Sequence, residues 1–169
     1  MNKQDIGILA NEDVFKLIGK EWMLVSAGTI DKFNTMTASW GCLGWLWNRP
    51  VAVVFIRPER YTYGFIEDNE KLTLSFFGED CRKALQLCGS LSGRDCDKVA
   101  EAGLHPVSME GGTVGFSEAR LTLVCRKLFR SAMSPENFTA PELLSTWYND
   151  RPGGGLHTIF IAEIEEVYG

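Results

Sequence analysis

The sequence predicts a mainly β protein of the α+β class, an antiparallel sheet closed into a barrel with short flanking helices. Three observations predict it. Strand-length runs of apolar and β-branched residues lie towards both ends of the chain, short helical segments lie between them, and no sustained β–α alternation indicates a parallel sheet. Closure would also remove exposed edges from a sheet this apolar. The length of 169 residues fits a single domain, residues 1–169.

Six segments have the composition or the alternation of strands. Val51–Ile56 is an uninterrupted apolar run bounded by Pro50 and Pro58, which predicts a strand buried on both faces. Lys71–Phe76 alternates polar and apolar residues, as a half-buried strand does. The other predicted strands are Trp22–Ile30, Phe33–Trp40, Glu118–Ala132 and His157–Val167.

Short helices are predicted where capping residues and glycine stops bound a segment. Asn11, followed by two acidic residues, fits a helix N-terminus, and Gly19 closes that helix. The pair Gly111–Gly112 is interpreted as a turn, and Arg151–Gly155 as a loop. The remaining predicted helices are Tyr61–Glu67, Glu79–Cys88, Arg94–Ala102 and Pro141–Trp147.

Composition argues against several classes of protein. A net charge of −5 and scattered basic residues do not suit a nucleic-acid partner. No apolar run reaches membrane-spanning length, and residues 1–10 lack the apolar segment of a signal peptide. The five cysteines show no C-x-x-C spacing and only two histidines accompany them, so we expect no metal site. Free thiols in a reducing cytoplasm are the simplest interpretation; a redox-active thiol pair is the alternative.

The chain has more aromatic residues than one small core needs. Aromatic side chains are enriched at subunit contacts, so some of these could lie at an interface, and the alternative is that all of them are core. The residues concerned are Trp40, Trp45, Trp47, Trp147 and Tyr148.

The segment Asn34–Gly41 is the first of three clusters that could carry chemistry. Small hydroxyl residues alternate along this predicted strand, so its backbone donors and acceptors can be approached closely. A planar ring with several nitrogen and carbonyl groups, such as isoalloxazine, requires such a surface. An ordinary threonine-rich strand is the alternative.

The second and third clusters suit an anion. Arg57–Thr62 places two arginines and two hydroxyls at a helix start, which fits a phosphate; surface arginines paired with Glu59 and Glu67 are the alternative. Gly89–Lys98 could hold an anion with loop amides and its lysine, or could be a capped connection between helices. Neither the G-x-x-x-x-G-K-[ST] nor the G-x-G-x-x-G motif occurs.

The order of these motifs is more specific than any one of them. N-T-M-T-A-S-W-G, an apolar strand into R-P-E-R-Y-T, then S-G-R-D-C-D-K and finally H-T-I-F-I-A-E-I-E-E-V follow one another from about Trp22 to Tyr168. This series resembles the flavin reductase-like family with the FMN-binding split barrel, in particular its flavoredoxin branch. The resemblance implies a six-stranded antiparallel split barrel, a homodimer and FMN bound near the subunit interface.

The resemblance also implies which residues bind the cofactor. Those expected along the flavin ring and ribityl chain are Thr35, Met36, Thr37, Ala38, Ser39 and Trp40. Those expected near the phosphate are Arg57, Pro58, Arg60, Tyr61 and Thr62. Those expected in a loop that closes over the cofactor are Ser90, Ser92 and Lys98.

His157 matches a family histidine close to the ring face, which makes it the candidate catalytic residue; a structural role at a strand start is the alternative. Leu156 replaces an aspartate frequent in two-component reductases, and Ala162 replaces a glycine common in the last strand. The implied function is electron transfer through FMN from NAD(P)H or from a redox-protein partner. An electron carrier of the flavoredoxin type without NAD(P)H oxidation, and a non-redox ligand-binding barrel, are the alternatives.

Overall fold

The structure is a computed structural model that describes residues 1–148 and 155–169. Of the predicted loop Arg151–Gly155, only Gly155 is among the described residues. We number the strands and α-helices of those ranges in chain order. The strands are β1 (Lys3–Gln4), β2 (Met23–Thr29), β3 (Lys32–Ala38), β4 (Gly41–Leu46), β5 (Arg49–Ile56), β6 (Lys71–Phe76), β7 (Pro106–Ser108), β8 (Val114–Phe116), β9 (Leu121–Ala132) and β10 (Thr158–Tyr168). The helices are α1 (Val14–Lys16), α2 (Tyr61–Asp68), α3 (Arg82–Ser90), α4 (Lys98–Glu101) and α5 (Glu142–Trp147).

Seven strands lie side by side in one antiparallel sheet, in the order β3-β2-β6-β9-β10-β5-β4. The short β1 pairs with the end of β10, and β7 pairs with β8 as a separate hairpin. The two ends of the path, β3 and β4, are consecutive in the chain and are joined only by Ser39 and Trp40. The sheet therefore curves into a barrel. Its first and last strands, β3 and β4, are not paired with each other within the described residues.

One face of six strands encloses a single hydrophobic core. β2, β3, β5, β6, β9 and β10 each contribute alternate residues to it, because side chains one residue apart on a strand point to opposite faces. β4 is largely exposed and adds only the partly buried Leu43. This arrangement confirms the predicted mainly β class and the six-stranded barrel with short flanking helices. The alternation is clearest in β6 and β9, with Leu72, Leu74, Phe76, Leu121, Leu123 and Cys125.

Helix α3 covers the outer face of the barrel beside β2 and β3. Leu85 and Cys88 of this helix pack in a second cluster with Leu24 and Phe116. The hydroxyl of Thr37 donates a hydrogen bond to the carbonyl oxygen of Leu85 at 2.5 Å. Because this bond ties α3 to β3, the loop after α3 is held close to the end of the strand.

All six predicted strands form, each with ends within three residues of the prediction. Val51–Ile56 is less buried than predicted, since Val53 and Phe55 are only partly buried. Strand β4 was not predicted, and glycine at two of its six positions weakens the strand signal there. Gly111–Gly112 does form a turn, as predicted.

Two predicted helices begin later than expected because different residues cap them. The first does not end at Gly19 as predicted, since a π-helical turn, Leu17–Glu21, continues α1 past that residue. Asp13, not Asn11, accepts a hydrogen bond from the Lys16 amide and begins α1. The helix expected from Arg94 begins only at Lys98, where Asp97 is the N-cap. The preceding residues instead form a turn on the carbonyl oxygen of Ser92.

The exposed aromatic residues are not all core. Trp40, Trp45, Trp47 and Trp147 are 38%, 69%, 55% and 50% exposed, so the all-core alternative is wrong for these four. All five cysteines are free, and burial raises the pKa of each thiol, which does not favour a redox-active pair. None of the helices that the structure describes is long and apolar enough to cross a membrane.

Candidate functional site

Two adjoining cavities lie beside β3 and contain most of the predicted site residues. The larger cavity, about 550 Å³, and the smaller cavity, about 170 Å³, share Met36 and Arg60. Predicted residues that line the larger cavity are Met36, Thr37, Ala38, Ser39, Trp40, Arg57, Arg60 and His157. Those that line the smaller cavity are Met36, Arg60, Tyr61, Thr62, Ser90, Ser92 and Lys98.

Strand β3 presents a free backbone edge at the larger cavity. It is an end strand of the sheet path and pairs only with β2 among the described residues, so its other edge has no strand partner. Thr35 does not reach the cavity. It is fully buried, accepts a hydrogen bond from the Ser26 hydroxyl at 2.8 Å and donates one to the Val25 carbonyl at 3.3 Å.

Lys98 is a buried cation at the smaller cavity. Its side chain is held by two hydrogen bonds from Nζ, to the carbonyl oxygens of Cys88 at 3.1 Å and Leu91 at 3.2 Å. Burial lowers the pKa of Lys98, and the neighbouring Arg60 lowers it further. An ammonium group has three N–H donors, so one remains for a ligand. A buried cation with a free donor is a suitable site for an anion.

The hydroxyls of the smaller cavity are positioned by a close contact between three segments. Asn34 of β3 donates a hydrogen bond from Nδ2 to the Thr62 hydroxyl at 2.7 Å. Gly93 packs so close to Asn34 that a Cβ there would lie 2.2 Å from Oδ1. The guanidinium of Arg94 lies 4.7 Å from the centre of the Tyr61 ring. Strand β3, the start of α2 and the loop before α4 thus meet at one surface that carries hydroxyl and cationic groups.

His157 lies at the other end of the larger cavity. Its Nδ1 is 2.8 Å from the Tyr148 hydroxyl, and its ring centre is 5.0 Å from that of Trp40. Burial, followed by the charge of Arg57, lowers the pKa of His157 to about 4, although Glu59 acts in the opposite direction. The imidazole is therefore neutral at pH 7.

Arg57 lies beside His157 and does not line the smaller cavity. Its Nη2 donates to the carbonyl oxygen of Trp147 at 2.7 Å, and its guanidinium lies 5.1 Å from the centre of the Tyr148 ring. The sequence grouped Arg57 and Pro58 with the phosphate end. The structure separates them from Lys98, and Pro58 lines neither cavity.

Several lining residues were missed by the sequence analysis. Trp147 was noted as an exposed aromatic, but spacing along the chain does not reveal that α5 ends beside β5. The side-chain alternation of β5 could have indicated Phe55 as a surface residue of that strand. The residues that line a cavity without having been predicted are Phe55, Thr146 and Trp147 in the larger one and Glu59, Leu91 and Arg94 in the smaller one.

The two family departures seen in the sequence lie outside both cavities. Ala162 is 1% exposed and packs in the barrel core, opposite Ala52 of β5. Leu156 lines neither cavity. Neither residue therefore contributes directly to the lining of the cavities.

A family model described as the flavin reductase like domain matches residues 15–169, nearly the whole chain. The chain belongs to the flavin reductase-like family. This membership confirms the resemblance on which the site assignment depends. No curated protein matches the chain.

Solved structures of family members have the same fold. The flavoredoxin of Methanosarcina acetivorans is 21% identical with a TM-score of 0.68, over 88% of this chain and 68% of its own. The flavoredoxin of Desulfovibrio vulgaris (Miyazaki F) is 22% identical with a TM-score of 0.67, over 99% of this chain and 76% of its own. The NADH:FAD oxidoreductase of Streptomyces globisporus is 15% identical with a TM-score of 0.65, over 88% and 74%. At these identities the likeness shows the split-barrel fold.

Proposed function

We propose that this protein is an FMN-dependent oxidoreductase of the flavin reductase type. The observation that supports the proposal is the juxtaposition of a free backbone edge on β3, at the larger cavity, with the buried ammonium of Lys98, at the smaller one. A planar ring that must be hydrogen-bonded along its edge and a charged tail are the two parts of FMN. Similar structures include an FMN-binding protein of Thermus thermophilus and two flavoredoxins.

The residues present fit this cofactor. The larger cavity, at about 550 Å³, is of the size that small-molecule sites usually have. It is lined by both apolar and polar groups, as a flavin ring requires, and the smaller cavity offers Lys98, Arg60 and several hydroxyls to a phosphate. Bound FMN would supply the redox chemistry, accepting electrons from a donor and passing them to an acceptor.

The chain's own groups have three tasks in this proposal. Lys98 and Arg60 neutralise the phosphate. The free edge of β3 hydrogen-bonds the ring and, through N–H donors, stabilises the negative charge that develops on reduction. Neutral His157, in the larger cavity, offers a hydrogen bond to the flavin or to the electron donor beside it, and this makes it the proposed catalytic residue.

Electron carriage of the flavoredoxin type is a second candidate, favoured by the two tryptophans at the mouth of the larger cavity. Trp40 and Trp147 are 38% and 50% exposed and lie edge to face, 5.4 Å between ring centres. Exposed aromatic residues are typical of surfaces that receive a protein partner. In this candidate a redox protein, and not NAD(P)H, reduces the flavin.

The cofactor assignment is tested by titrating the purified protein with FMN and with riboflavin, which lacks the phosphate. We expect Lys98→Met to weaken FMN by about 1.5–3 kcal/mol, because a charge-assisted hydrogen bond is lost, and to leave riboflavin unchanged. Arg57→Ala is the matched control, and it should leave the ratio of the two affinities as it is. An equal effect of Lys98→Met on both ligands would contradict the assignment. Failure of wild type to bind either flavin would reject the function.

The electron donor is tested separately, by adding NADH or NADPH to the FMN-loaded protein without oxygen. Bleaching of the oxidised flavin bands identifies a reductase. Reduction by a ferredoxin or hydrogenase system, with no response to either nicotinamide, identifies the electron carrier.

A further inference from the structure

The two ring nitrogens of His157 have different surroundings. Nδ1 lies 2.8 Å from the Tyr148 hydroxyl, and among the described residues no other hydrogen bond is made to the ring. His157 lines the larger cavity and is 9% exposed. Among the described residues only two buried side-chain nitrogen or oxygen atoms have no hydrogen-bond partner, and both are glutamate oxygens. Nε2 is therefore not fully buried, and we place it at the larger cavity.

The surroundings of the hydrogen bond between Tyr148 and His157 favour the tyrosine as its donor. Burial raises the pKa of Tyr148 despite the nearby Arg57, so its hydroxyl is protonated and can donate. Among the described residues, the only other acceptor within hydrogen-bonding distance of this hydroxyl is the Met133 thioether sulfur, at 3.7 Å. Sulfur is a weak acceptor. The imidazole nitrogen is closer and is the better acceptor. A neutral imidazole that accepts at Nδ1 carries its proton on Nε2.

We propose that Tyr148 is a positioning residue that fixes His157 in the Nε2–H form and presents this N–H to the larger cavity as a hydrogen-bond donor. The charged and titratable groups around the pair are Arg57 and Glu59, which follow β5, and Tyr148, which follows α5. Arg57 supports the arrangement from two sides, through the Trp147 carbonyl and the Tyr148 ring. The ligand that this donor suits has a carbonyl oxygen or an unprotonated ring nitrogen at its edge.

The inference rests on the proposed function only for the ligand that receives the hydrogen bond, so its first test uses the protein without flavin. The chain has two histidines, and nitrogen-15 NMR of histidine-labelled protein distinguishes protonated from unprotonated ring nitrogens. We expect His157 at pH 7 to show an unprotonated Nδ1 and a protonated Nε2. In Tyr148→Phe, which keeps the ring beside Arg57, His157 should titrate at higher pH, because a hydrogen bond to the neutral form is lost. His105, which faces Glu118, should be unchanged.

A protonated Nδ1 in the wild type would overturn the inference, and so would an unchanged His157 titration in Tyr148→Phe. The second test measures reduction of the FMN-loaded protein. Tyr148→Phe should slow it about tenfold, the loss expected from one misdirected hydrogen bond. In a His157→Ala background the same change should have no further effect, because Tyr148 acts through His157.

Equal slowing in both backgrounds would show that Tyr148 acts by another route and would overturn its positioning role. Absence of flavin binding or reduction in the wild type would instead reject the proposed function. The NMR result would then still decide the state of His157.

Discussion

At the scale of single residues, two buried titratable side chains mark the two ends of the candidate site. Lys98 is 4% exposed and His157 is 9% exposed, and burial lowers the pKa of both. The consequences differ because their ordinary pKa values differ. At neutral pH an anionic partner would stabilise the charged form of the buried lysine, whereas the imidazole has already lost its charge. One end therefore offers a cation to an anionic ligand, and the other offers a neutral donor.

The lowered pKa of His157 predicts how stability depends on pH. The unfolded chain protonates this histidine near pH 6.5 and the folded chain only near pH 4, so between these values the unfolded state binds more protons. The contribution of His157 to the free energy of unfolding should therefore be fully present above about pH 6.5 and be lost as the pH falls towards 4. We expect this group to cost about 2 kcal/mol at pH 5 relative to pH 7.

Urea unfolding at pH 5 and pH 7 measures this difference. His157→Gln should have a flatter pH dependence than the wild type by about that amount. A His157→Gln slope equal to that of the wild type would mean that His157 titrates normally in the folded protein.

At the scale of elements, the sequence predicted the strands and singled out two clusters that line the cavities. The β3 cluster and the Gly89–Lys98 cluster were singled out by local composition, with an ordinary strand and a capped connection as the alternatives, and the family resemblance assigned them to the cofactor. Each contributes to a cavity because its residues are near one another in the chain. Arg57 could not be placed in this way. Its partners Trp147 and Tyr148 are about ninety residues away, and only the fold brings α5 to the end of β5. Long-range contacts of this kind leave no periodicity in a single sequence.

The contact between β3 and the loop before α4 predicts that Gly93 tolerates no side chain. In Gly93→Ala the new Cβ would lie 2.2 Å from Asn34 Oδ1, so the Asn34 amide must move and its bond to Thr62 must weaken. We expect a loss of about 1–3 kcal/mol in the free energy of unfolding, together with weaker FMN binding.

Gly64→Ala is the matched control for this prediction. Gly64 lies within α2 and has no atom within 4 Å of an added Cβ, so alanine should be neutral or stabilising. Chemical denaturation and FMN titration of both variants compare them directly. Equal stability of the two variants would mean that the loop before α4 adapts freely.

At the scale of the whole molecule, the split in the barrel leaves two strand edges. The free edge of β3 faces the larger cavity, where the proposed ligand would use it. Strand β4, at the other end of the sheet, is largely exposed and pairs only with β5 among the described residues. An exposed edge strand invites pairing with another chain unless something covers it. The two edge strands therefore have different surroundings.

We propose that β4 and the turn after it form the contact between two copies of this chain. Trp45 and Trp47 are 69% and 55% exposed, and Trp47 packs edge to face on Phe129 of β9, which is itself 46% exposed. Exposed aromatic residues of this kind are enriched at the centre of subunit interfaces. Because Trp40, at the mouth of the larger cavity, immediately precedes β4, such a dimer would place the site near the interface.

Sedimentation equilibrium at micromolar concentration tests this dimer. The wild type should sediment as a dimer and Trp45→Glu as a monomer, because a carboxylate cannot be buried in an apolar contact without a partner. Phe15→Glu, at a residue of α1 that is 91% exposed, removes a still more exposed aromatic side chain elsewhere and should remain dimeric. If the site lies near the interface, FMN affinity should fall in Trp45→Glu and not in Phe15→Glu. A monomeric wild type would show that β4 is tolerated as a bare edge, and a dimeric Trp45→Glu would place the contact on another face.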